Sequence, residues 1–160
     1  MGARADQLAS KLDQSCREIN AAVERLSDAE WKTVASAEQW SVGVVAHHVA
    51  ESHAEEGGFV QMIAKGQPVP PLTMEMIDEG NARHAREHAN VTKAATLALL
   101  QANGAQAVAM VRGLSDAELD RSGTLLVGTP PVTAAQAIQE LLIDHVYEHL
   151  ASIMATTKAK

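Results

Sequence analysis

The stretch 138–153, IQELLIDHVYEHLASI, decides how this chain is read. Its apolar residues recur at helical spacing, and among them stand His145 and His149, one helical turn apart. On a wheel advancing about 100° per residue, with His145 at the origin, Ile138, Leu141, Leu142, His149 and Ile153 all fall within about 80°. Both imidazoles are therefore expected within the apolar stripe. Burying their nitrogens unpaired is costly, and a divalent metal satisfies both at once. The question is whether a third ligand exists.

Working outward, Thr133 and Gln136 form a capping box that opens this helix. The loop before it, from Asp120 to Pro131, holds Gly123, Gly128, Pro130 and Pro131. Three further long helical segments precede that loop. The first runs from about Ala5 to Leu26. Ser41 caps the second, which reaches about Ala64 before GQPVPP. The third is expected after Thr73, reaching about Gly104 with a break near Gly80, and a further stretch spans 105–114. The phrase LSDAE occurs twice, at Leu26–Glu30 and Leu114–Glu118, each time as a capping box after a helix. The expected fold is all-α, an up-and-down four-helix bundle in one domain covering 1–160.

Composition agrees. Apolar residues make up 46% of the 160 and aromatics only 2%, which favours closely packed helices over sheets. A net charge of −7 argues against a nucleic-acid partner, which would want a basic stripe. No run approaches the roughly 18 consecutive apolar residues of a membrane span, so no membrane partner is expected. The single cysteine, Cys16, excludes an internal disulfide and is expected to be a buried structural residue. The N-terminal stretch MGARADQLASKLDQ lacks a signal-peptide apolar core, and the expected location is cytoplasmic.

The third ligand is sought on the second long helix, at His47 or His48. With Val45 at the origin, Val42, Val49, Phe59, Val60 and Ile63 define an apolar stripe; His48 lies about 60° from its centre and His47 about 160°. The wheel therefore turns His48 inward and leaves His47 solvated. Ser52 and Glu56 face inward as well. His48, His145 and His149 make a three-imidazole set, which is how catalytic zinc is held with one position open, and imidazole also suits nickel, iron or copper. Seven histidines in 160 residues predict about 0.3 pairs at i,i+4 spacing by chance. The chain has two. The second pair, His84 and His88, lies on a face shared with Asn81, Val91, Ala95 and Leu99. One pair could ligate while the other lines the pocket or orients the ligating imidazoles. Hydrogen-bonded core histidines are the alternative for either pair.

Several of these motifs carry a family resemblance. WSVGVVAHHVAES, the DHVYEHLASI that ends the last helix, IDEGNARHA and LSDAEL together resemble the DinB-like family of metal-binding four-helix bundles, over about Ala5 to Met154. The resemblance implies His48, His145 and His149 as ligands to a divalent metal, zinc or nickel. It also implies a homodimer and a pocket open at one end of the bundle. Relatives in that family include S-transferases that use low-molecular-weight thiols, and mycothiol-dependent maleylpyruvate isomerases, which resemble this chain in their N-terminal bundle. Two departures stand out: Gly43 occupies a position where a larger residue is common, and His47 adjoins a ligand.

The expected function is that of a metal-dependent enzyme acting on a small molecule, such as a thiol S-transferase, with Glu56, His84 or His88 able to move protons. A metal-dependent hydrolase, a non-catalytic metal or small-molecule binding module, and a plain structural bundle are the competing readings.

Overall fold

A computed structural model describes residues 2–157. Its long helices are α1 (Ala3–Arg25), α3 (Val42–Lys65), α4 (Met74–Glu87), α5 (Lys93–Arg112) and a C-terminal run of α7 (Ala134–Ala137), a π-helical segment (Ile138–Asp144) and α8 (His145–Thr156). The short helices α2 (Asp28–Trp31) and α6 (Asp116–Leu119) and the two-residue strands β1 (Ser122–Gly123) and β2 (Val132–Thr133) complete it, the strands pairing antiparallel. The three capping boxes form as expected, at Ser27/Glu30, Ser115/Glu118 and Thr133/Gln136. Both LSDAE copies thus start a one-turn helix, because a cap depends only on residues three apart.

The bundle consists of α1, α3, α5 and the C-terminal run. α1 and α3 each pack against α5 and the C-terminal run, so these two helices sit on a diagonal. α1 runs antiparallel to α5: Arg4 pairs with Asp120 just beyond its far end, and the Lys93 ammonium donates to the Leu26 carbonyl at the other. The chain passes up and down, but its third pass, α4, lies outside the bundle against the outer face of α3. The apolar core divides in two. One part gathers Leu12, Val60, Ile63, Val111 and Ile138, and the other gathers Ile19, Val23, Trp31, Val45, Leu150 and Ile153.

Three expectations change. The break falls at 88–92, not near Gly80, and Lys93–Arg112 is one continuous helix. Thr92 caps it through the Ala95 amide, and the new phase buries Thr96, Leu100, Gly104 and Val108 while Ala95 is exposed. The inward face drawn from His84 to Leu99 is therefore interrupted at 88–92: Val91 and Leu99 still pack against the core, and Ala95 does not. Second, the π-helical segment shifts the phase ahead of His145. Beyond it Val146, Leu150 and Ile153 form the buried stripe, and His145 and His149 flank it at intermediate exposure. Third, α5 is long and apolar enough by composition to cross a membrane although it holds no unbroken apolar run of about 18 residues; here it packs between α1 and α3.

Gly43 has a structural reason. A Cβ there would stand 2.5 Å from Cε2 of Trp31, so the indole lies directly on the α3 backbone. The Trp31 ring nitrogen donates to the Val91 carbonyl at 3.0 Å, tying the α4–α5 connection to the start of α3.

Candidate metal centre

His48 on α3 and His145 and His149 on α8 come together with their Nε2 atoms converging. His145 Nε2 lies 2.9 Å from His149 Nε2 and 3.3 Å from His48 Nε2. Two nitrogens each about 2.0–2.1 Å from one ion, at roughly 90–110°, stand about 2.9–3.4 Å apart, so the spacing fits a single divalent metal. The outer nitrogens of the α8 pair meet carboxylates. His149 Nδ1 donates to Glu38 at 2.9 Å, and Ser152 Oγ donates to the other Glu38 oxygen at 2.6 Å. His145 Nδ1 lies 3.2 Å from Glu56 Oε2, a contact not aligned as a hydrogen bond. Carboxylates behind ligating imidazoles fix the tautomer that turns the Nε2 lone pair inward.

The electrostatics follow from burial. Burial, reinforced by the neighbouring His145 and His149, drives His48 down to about 3, so it is neutral at pH 7 and free to ligate. Burial lowers His149 too, helped by His145 and opposed by Glu38. For His145 burial acts downward, yet Glu56 outweighs it and the net shift is upward. Burial raises Glu56, with His145 only partly offsetting it. Glu38 goes the other way: burial would raise it, but the hydrogen bonds from Ser152 and His149 hold it below the ordinary carboxylate value.

A cavity of about 980 Å³ opens beside the cluster, walled by α3, α4, the β1–β2 loop and the C-terminal run. His48, Ser52, Glu56, Asn81, His84 and His88 all line it. Its acidic side chains outnumber the basic ones: Glu51, Glu55, Glu56, Glu87 and Glu140 line it together with Arg83.

His47 is a correction. Expected in solvent, it is buried, with Nδ1 2.9 Å from His84 Nε2 and its ring stacked on His88 at 4.1 Å. The wheel placed it correctly on the outer face of α3; it could not show that α4 covers that face. Glu51, one turn along, reaches both α4 histidines, at 3.5 Å from His84 and 3.6 Å from His88. Burial lowers His84 to about 4, with His88 and His47 adding to it.

Glu38, Ser152, Glu51 and His53 were missed in the sequence. Glu38 sits on a tight loop between α2 and α3, held by hydrogen bonds between Ala35 and Trp40 and between Thr33 and Val42, with Gln39 at φ 60°. No local pattern marks such a residue, because its partner lies on the last helix. His47 and Glu51 at i,i+4 did offer a signal for a second polar face. Cys16 is buried as expected, 3.5 Å from the buried His53.

A sequence model described as the DinB superfamily matches residues 11–153. The chain belongs to the DinB superfamily. Among solved structures, YfiT from Bacillus subtilis superposes with a TM-score of 0.80 at 22% identity, covering 99% of this chain and 89% of that one. YfiT is described as a probable metal-dependent hydrolase with an unusual four-helix bundle topology. The mycothiol-dependent maleylpyruvate isomerase follows at a TM-score of 0.72 and 14% identity, covering 96% of this chain and 63% of the isomerase. At these identities the likeness is one of fold. A search of curated proteins finds no match.

Proposed function

We propose that this DinB-superfamily chain is a divalent-metal-dependent enzyme acting on a small molecule held in the cavity beside His48, His145 and His149. The observation that carries this reading is the convergence of three Nε2 atoms with Glu38 and Glu56 behind two of the rings. Binding alone needs no adjacent base, whereas Glu56 sits in the cavity wall with its affinity for protons raised by burial. When bound, zinc or nickel lowers the pKa of a thiol or water beside it. The role of Glu56 is to accept the proton that such a nucleophile gives up, and that of Glu38 and Ser152 is to hold the His149 ring.

Transfer of a low-molecular-weight thiol to a small electrophile is the leading reaction, with hydrolysis as the second reading. The burial of Glu56 beside the cluster favours neither over the other, but the description of YfiT as a probable metal-dependent hydrolase supports keeping hydrolysis. The acidic lining sets a condition on both: neutral or cationic substrates are favoured over anionic ones.

Metal analysis of tag-free protein tests the centre. The expected result is metal bound by the wild type and lost from this site in His145→Ala. A His145→Ala variant with unchanged metal content and affinity refutes it. Loaded protein is then assayed with a reactive electrophile across several thiols, and with activated esters and amides in their absence. Glu56→Gln should lower whichever activity is found by about 10²–10⁴-fold.

A further inference from the structure

Outside that centre the structure holds a second cluster of metal-ligating side chains, and it lies under a lightly buried helix. Of the residues in α4, His84 alone is buried. Met74 and Met76 at its start are more than half exposed, so little apolar area fixes this helix to the bundle. Yet α4 forms one wall of the cavity through Met76, Ile77, Asn81, Arg83 and His84. What it presents to α3 is imidazole, and α3 answers with His47 and Glu51.

The donor atoms of His47, Glu51, His84 and His88 lie within 4.8 Å of one another. His47 Nδ1 and His84 Nε2 are 2.9 Å apart, and Glu51 stands 3.5 Å from His84 Nε2 and 3.6 Å from His88 Nε2. The alternative is a network of neutral imidazoles sharing one hydrogen bond. That alternative accounts for the His47–His84 contact. It does not account for the convergence of the Glu51 carboxylate on Nε2 of both His84 and His88, beside the His47–His84 pair. A carboxylate and three imidazoles from two elements are a complete tetrahedral donor set for a borderline cation of the zinc class, and too rich in nitrogen for calcium or magnesium.

We propose that His47, Glu51, His84 and His88 form a second, structural metal site for a zinc-class divalent cation, which clips α4 onto α3 and so sets the wall of the cavity. A closed four-ligand site holds structure rather than a reacting atom. Its metal ties together two helices that share few apolar contacts, and its binding energy adds directly to the docking of α4. The inference is independent of what reaction the first centre performs.

Tag-free, metal-free full-length protein titrated with zinc alone tests it, with bound metal counted after gel filtration. Wild type should bind two equivalents. Glu51→Gln/His88→Gln and His145→Ala should bind one each. Glu51 and His88 are only partly buried, and the single Glu51→Gln variant serves if the double does not fold. Amide exchange over 74–88 should slow by tenfold or more when zinc is added to wild type or His145→Ala, and stay unchanged in Glu51→Gln/His88→Gln. One wild-type equivalent that vanishes in His145→Ala overturns the second site and leaves the first standing. One equivalent that survives His145→Ala and vanishes in Glu51→Gln/His88→Gln supports the second site and refutes the first. Two equivalents undiminished by Glu51→Gln/His88→Gln, or none at all, overturn the proposal.

Discussion

Glu38 offers the sharpest test of the metal centre, because it touches a proposed ligand without being one. Its two oxygens are both engaged, one by His149 Nδ1 at 2.9 Å and one by Ser152 Oγ at 2.6 Å, and its side chain is only 11% exposed. In Glu38→Gln the amide oxygen can still accept from Nδ1 and the amide nitrogen can donate to the serine oxygen, so the geometry survives and only the charge is lost. A charge-assisted bond is about twice as strong as a neutral one, so the loss is about 1 kcal/mol, or about fivefold in zinc affinity. Glu38→Ala removes both bonds and frees the ring to rotate or change tautomer. Its expected cost is about 10–100-fold, the range for partners of ligating histidines. Ser152→Ala leaves Glu38 on His149 and should cost about twofold to threefold. The assay is competition with a chromophoric chelator at neutral pH in the Glu51→Gln/His88→Gln background, so that only the His48/His145/His149 centre reports. The order alanine, glutamine, serine variant is the signature. Zinc affinity in Glu38→Ala within twofold of its parent would refute the argument that this carboxylate orients His149.

Gly43→Ala should destabilise by about 1–2 kcal/mol in urea titrations: the new methyl meets Trp31 at 2.5 Å, and an overpacking cost of about 1–3 kcal/mol exceeds a helix-propensity gain of at most about 1. A neutral or stabilised variant would show that the indole can move away freely. Cys16 gives a pH dependence. Burial, with Asp13 adding to it, pushes its thiol from 9.0 to about 11, so the folded state holds the proton more tightly than the unfolded chain. That contribution is full below about pH 9 and is lost as pH rises through about 11, worth about 2–3 kcal/mol. Unfolding free energies measured from pH 8 to 11 should therefore fall more steeply in wild type than in Cys16→Ala, and equal slopes would refute it. Thr133→Ala removes the hydroxyl oxygen that accepts from the Gln136 amide, and should cost about 1 kcal/mol by chemical denaturation; no change would mean that β2 pairing alone holds the start of α7.

Legibility from the sequence followed the range of the interaction. The capping boxes at Ser27, Ser115 and Thr133 were readable because each joins residues three apart. The break after α4 was misplaced because glycine at position 80 is tolerated inside a helix, whereas Thr92 supplies the cap that starts α5. The π-helical segment left no mark in residue periodicity, and it moved His145 and His149 from the centre of the buried stripe to its flank.

By itself the sequence determined the first, second and last long helices, three capping boxes, the bundle and which histidines share a turn, because propensity, capping and amphipathic spacing all act within one element. Tertiary structure decided the rest. Glu38 reaches His149 only when the α2–α3 loop folds against α8. His47 is buried only because α4 passes outside the bundle and covers the back of α3. A wheel can say which way a side chain points along its own helix; what stands opposite is set by how the helices pack.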